Sequence, residues 1–195
     1  MATPGKDNTL TVDANVVSYC WQMEDGCALS QGLPVTRIAD FKCHVLDRRP
    51  IAVNRFVEDE YAASLDPKRV KDWLKHRFQA GLAIEVERIP LPRTVRTALR
   101  DHYGFDCCSR DRVYLETCLN TYYKYLVTEN RTHFDRPHCR PKQRNMRAYL
   151  FRKLRLCVRF VDECCAELID GAVSAASATG SDEQEGEDGR CGNGS

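Results

Sequence analysis

The chain has 195 residues and a mass of 22.3 kDa, with 43% hydrophobic and 29% charged residues, a mixture that builds one globular domain plus extensions. No apolar run approaches the length of a membrane span, and the opening ATPGKDNT lacks the basic-then-apolar pattern of a secretory leader, so a cytoplasmic protein without a membrane partner is expected. The net charge of +1 conceals an asymmetry: residues 181–195 hold Asp182, Glu183, Glu185, Glu187 and Asp188 against Arg190 alone, which leaves 28 bases and 23 acids, or +5, in residues 1–180. Eleven cysteines without a CxxC spacing read as reduced thiols rather than a disulfide framework. His133, His138 and Cys139 are the one compact set of soft ligands and a weak candidate for structural zinc, whereas His44 and His102 have no companion ligands in the sequence.

In chain order, the β-branched run at 9–12 ends at Asp13 and passes through Asn15 into the apolar set Val16, Val17, Tyr19 and Cys20, a strand followed by a helix. Residues 51–53 repeat the unit, turning at Asn54 into a helix with Phe56, Val57, Glu60 and Tyr61. Val70, Trp73, Leu74 and Phe78 predict a helix over 68–79, and 83–86 predict a short strand. Pro92 suits a helix start and Gly104 a helix end. Asp111 opens a further helix with a broad apolar face, which leads into a strand at 125–128. Among Tyr122, Tyr123 and Tyr125, core packing is expected for at least two.

Strands alternating with helices predict a three-layer α/β/α domain with a central parallel sheet over residues 8–135. Residues 136–159 contain nine Arg or Lys and no acid, a footprint for a polyanion or a solvated face. Met146, Leu150, Leu154, Cys157, Val161, Cys165 and Leu168 form one stripe with Arg144, Arg152, Arg155 and Arg159 opposite, which predicts a long basic amphipathic helix within an extension over 136–170. Residues 171–195, with six glycines and no aromatic residue, are expected to be a disordered acidic tail.

A parallel sheet places its ligand site beyond the carboxyl ends of its strands. Asp13, the run Glu58, Asp59 and Glu60, Asp111 and the polar exit Thr128, Glu129 and Asn130 all fall at such positions. Each acid alone is explained by capping of a helix N-terminus. Together they would repel and raise one another's pKa unless a cation sat among them, and carboxylate and amide oxygens are the donors that Mg²⁺ or Mn²⁺ prefers.

Four segments, LTVDANVV, IAVNRFVEDEYAAS, DRVYLETCL and YLVTENRTHF, resemble in order and spacing the PIN-domain nucleases, including the toxins of bacterial toxin-antitoxin modules. The resemblance covers about residues 9–134. It implies Asp13, Glu60 and Asp111 as catalytic, metal-binding acids, with Asn130 at the fourth position, Asn15 or Thr128 as polar support and Asp135 as a substitute ligand where Asn130 carries no charge. Glu60 is preferred to Glu58 because Val57 lies three residues before it. It also implies a short final strand after the fourth, which the sequence reading does not find.

The function so implied is metal-dependent endoribonuclease activity through Mg²⁺ or Mn²⁺, either as a toxin or in RNA processing. Arg110 and Arg112, together with the four arginines of the helix, are the candidate RNA contacts. Partners then include RNA, an antitoxin or other protein, or a second copy of the chain. The rival is a catalytically silent PIN-like module that binds RNA or protein. A nucleotide-binding domain is disfavoured because no GxGxxG or GxxxxGK[ST] follows a strand.

Overall fold

Five short runs, most of them β-branched or aromatic, pair side by side in a computed structural model that describes residues 8–27, 33–105, 110–140 and 144–170. They are β1 (Leu10–Val12), β2 (Ile51–Val53), β3 (Ala83–Glu85), β4 (Tyr125–Val127) and β5 (Cys157–Arg159), all parallel in the order β3-β2-β1-β4-β5. Every residue of β1, β2 and β4 is buried, as a sheet covered on both faces requires, whereas β3 and β5 at the edges are partly exposed. Leu10 stands opposite both Ile51 and Tyr125, and Tyr125 opposite Cys157, so the strands end along one edge. The chain reverses its direction of travel across the sheet between β1 and β4, and a crevice opens at such a reversal.

The helices are α1 (Ala14–Glu24), α2 (Val35–Asp40, continued by a π-helical segment Phe41–Leu46), α3 (Arg55–Ser64), α4 (Pro67–Gln79), α5 (Arg93–Tyr103), α6 (Asp111–Cys118), α7 (Arg131–Phe134), α8 (Met146–Leu154) and α9 (Val161–Cys165, continued by Ala166–Asp170). They sandwich the sheet into an α/β/α domain, with α6 packed across β1, β2 and β4. Local chemistry sets the helix ends. The Asn54 side chain accepts from the amides of Phe56 and Val57 at 3.1 Å, and Asp66 caps α4 ahead of Pro67. Gly104 ends α5 with φ of 60°, a left-handed conformation that a side chain would strain. Among the described residues no helix is long and apolar enough to cross a membrane. The cysteines described, Cys20, Cys27, Cys43, Cys118, Cys139, Cys157, Cys164 and Cys165, form no disulfides.

The expected long basic helix is a correction. Residues 154–160 read Leu, Arg, Leu, Cys, Val, Arg, Phe, an alternation of period two that the helical reading of Leu154, Cys157 and Val161 overlooked. Leu156, Val158 and Phe160 are buried, and β5 adds to the sheet beside β4. The helix stops at Arg155, which takes φ of 56° and marks the break without glycine or proline. Residues 136–170 are therefore not an appended extension, because they supply an edge strand of the same sheet. Arg144, Arg152, Arg155 and Arg159 share no helix face: the first precedes α8, the second lies on it, the third caps it, and Arg159 in β5 bonds Glu167 at 2.5 Å. The tyrosines also differ from expectation, with Tyr125 buried and Tyr122 and Tyr123 exposed, edge to face, before β4 begins. The predicted tail at 171–195 lies outside the described residues.

Candidate active site

Asp13 follows β1 and caps α1, where its Oδ1 accepts from the amide of Asn15 at 3.4 Å. Its other oxygen accepts from the Thr128 hydroxyl at 2.7 Å, a bond that spans the reversal between β1 and β4. The Asn15 side chain in turn accepts from the amide of Glu129 at 3.2 Å. Thr128 and Asn15 thus hold the two strand exits together. Burial pushes the Asp13 carboxyl up to about 7, despite the Thr128 hydrogen bond, and the charge of Asp111 pushes it in the same direction.

Asp111 opens α6 and Glu60 lies on α3, and both line one cleft of about 340 Å³ with Asp13, Asn15, Asn130 and Arg110. Glu60 is also raised, first by burial and then by Asp111 and Asp59, with Arg110 at 3.8 Å opposing. Glu58 lines a different groove with Asp59, Lys71 and Lys75. Three carboxylates from distant parts of the chain therefore share a cleft in which Arg110 is the one guanidinium among the described residues.

Asn130 reaches the same cleft but in another role. Its side-chain oxygen accepts from the amide of His133 at 3.3 Å and caps α7, while its NH₂ group donates to Asp111 at 3.2 Å. The carbonyl oxygen expected to face a metal is thus taken up by α7. Asp135 does not reach the cleft: it accepts from Asn145 at 3.2 Å and pairs with Arg147 at 3.4 Å, so it cannot substitute for Asn130. Arg112 also points elsewhere, toward Glu116 at 3.6 Å.

Glu116, on α6 beside this cleft, is buried with 2% of its area exposed. It accepts from the Leu91 amide at 3.0 Å, contacts the Arg88 guanidinium closely and pairs with Arg112. Glu129 is likewise buried, and it accepts from the amide of Val161 at 2.6 Å to start α9. The four residues of α7 put His133 Nδ1 in close contact with the second oxygen of Asp111, a role the soft-ligand reading of His133 did not anticipate. The spacing Asn130-x-x-His133, with one cap and one imidazole on a single turn, was the available signal. Ser18, Ser64 and Tyr114 line the cleft as well, and the Tyr114 hydroxyl accepts from the amide of Ala14 at 3.2 Å.

Comparison of the chain with models of known protein families, with curated proteins and with solved structures found no significant match.

Proposed function

We propose that this cleft holds Mg²⁺ or Mn²⁺ and hydrolyses RNA phosphodiester bonds. The donor set fits such an ion: Asp13, Glu60 and Asp111 offer hard carboxylate oxygens, the first is held partly protonated near neutrality by its surroundings, and no cysteine or histidine lines the cleft among the described residues. A divalent ion bound there would supply Lewis acidity and a water of lowered pKa. The chain's own residues do the rest. Thr128 and Asn15 fix Asp13, Asn130 and His133 orient Asp111, and Arg110, exposed at the rim beside Glu60, is placed to attract a phosphate. RNA as the substrate rests on the likeness of the four segments to PIN-domain nucleases.

The single observation that carries the reading is the convergence of three carboxylates, separated by 47 and 51 residues in sequence, on the crevice between β1 and β4. The test is cleavage of pooled RNA and DNA oligonucleotides with Mn²⁺, Mg²⁺ or EDTA. RNA cleavage that EDTA stops and that Asp111→Asn lacks is expected; no cleavage of either nucleic acid under any condition would overturn the reading.

A catalytically silent module is favoured by one specific observation. Both oxygens of Asp111 already have protein partners, Asn130 and His133, which compete with a cation. RNA binding without metal-dependent turnover is the outcome that this second reading expects.

A further inference from the structure

His102 near the end of α5, His138 and Cys139 bring three metal-ligating atoms within 4.8 Å of one another, the one such group of histidines, cysteines and acids found among the described residues. We propose that they form a zinc site, separate from the acidic cleft, with its fourth coordination place open to solvent.

The sulfur–nitrogen distances are close to what zinc demands. With Zn–S near 2.3 Å and Zn–N near 2.05 Å, tetrahedral angles put sulfur and nitrogen about 3.6 Å apart. Cys139 Sγ lies 3.7 Å from His138 Nδ1 and 3.9 Å from His102 Nδ1, and to close the set the two imidazoles would turn about their side-chain bonds until both lone pairs meet one ion. The His102 and His138 rings are stacked with centroids 4.9 Å apart and planes 22° from parallel, and the edge-on Tyr103 ring packs against His138 at 5.1 Å.

The backbone already holds the ligands together. The Cys139 amide donates to the His102 carbonyl at 2.8 Å, and Arg136 bonds the carbonyls of Tyr103 and Gly104. The Arg140 amide now donates to His138 Nδ1 at 2.9 Å, and zinc would take that lone pair in exchange for one exposed hydrogen bond. Binding would release the Cys139 thiol proton to solvent.

Two imidazoles and a thiolate select zinc over Mg²⁺ or Mn²⁺, the reverse of the preference of three carboxylates. The sequence offered His133 as the third ligand, yet α7 turns that residue to Asp111 and the end of α5 supplies His102 instead. A metal here would pin residues 138–139 to α5. That segment begins four residues after the end of α7 at Phe134, so the pin would steady the turn that orients Asp111.

The experiment is titration of the full chain with Co²⁺ as a spectroscopic substitute, followed by competition with Zn²⁺, on wild type, Cys139→Ser, His102→Ala, His138→Gln and Cys27→Ser. Wild type and Cys27→Ser are expected to show a thiolate-to-cobalt charge-transfer band that Zn²⁺ removes. Cys139→Ser should lose that band, and the two histidine variants should bind Co²⁺ more weakly by about tenfold or more. All three positions are exposed or half-buried, and circular dichroism verifies that the variants fold. A wild type without the band, or a band of full strength in Cys139→Ser, would overturn the proposal.

Discussion

Asp13 and Glu116 are both carboxylates withdrawn from solvent, 5% and 2% exposed, and their surroundings are opposite. Glu116 meets Arg88, Arg112 and the Leu91 amide, so its charge is consumed in holding the loop before α5 against α6. Asp13 meets hydrogen-bond donors but, among the described residues, no ion-pair partner, and the charge that raises it is another carboxylate, Asp111. A protein gains nothing in stability from burying an acid in that way. The contrast separates an acid whose charge the fold uses from one whose charge it leaves over, and under the proposed function substitution at the two positions should give opposite results.

The largest expected effect is on turnover. Asp13→Asn and Asp111→Asn should each lower RNA hydrolysis by about a hundredfold or more, since each removes a charge that the proposed reaction would use. Thermal melting should show either variant as stable as the wild type or more so, because repulsion in the cleft is relieved. A fall in melting temperature with full activity would reduce both acids to helix caps.

Glu116→Ala should do the reverse, leaving turnover intact and costing ~2 kcal/mol in urea denaturation, as two half-exposed guanidiniums and an amide lose their acceptor. Equal stability of wild type and variant would show that this acid is solvated after all.

The third effect is on pH. Asp13 binds its proton up to about pH 7 in the folded chain, against the ordinary carboxyl value of 3.8 expected when unfolded. The folded state thus holds more protons between those values, and its stability should fall as pH rises from about 4 to 7 and then level off. Denaturation in EDTA across that range measures the slope, and Asp13→Asn should flatten it. Added Mn²⁺ should offset the loss near pH 7 by binding only the folded state. A wild-type slope retained in Asp13→Asn would assign the titration to another group.

Much of this contrast was legible in the sequence. Asp13, Asn54 and Gly104 sit where a strand exit, a cap and a left-handed turn each need their chemistry, and such local rules carry the first four strands. What was illegible depends on partners distant in sequence. Glu116 lies on a helix whose exposed side the sequence could not distinguish, and Arg88 reaches it from a loop 28 residues away. His133 meets Asp111 across 22 residues through a four-residue helix too short to show periodicity. The fifth strand was hidden by apolar residues that satisfy a helical spacing and an alternation at once, with an arginine rather than a glycine at the break.

The smallest effect concerns the arginines. Arg110→Gln should lower the salt dependence of RNA binding by about 0.7 to 0.9 in log-log slope, the loss of one phosphate contact. Arg159→Gln should leave that slope unchanged, because Arg159 is engaged with Glu167. Equal losses from both would restore the basic segment as an RNA surface.

The central claim, that the carboxylates left over by the fold make a hard-cation site, is tested most directly by Mn²⁺ binding followed by electron paramagnetic resonance at pH 7.5. The wild type and His102→Ala should bind Mn²⁺ alike, while Asp13→Asn and Asp111→Asn should bind it more weakly by about tenfold or more. Binding of equal strength in all four proteins, or none in the wild type, would contradict it.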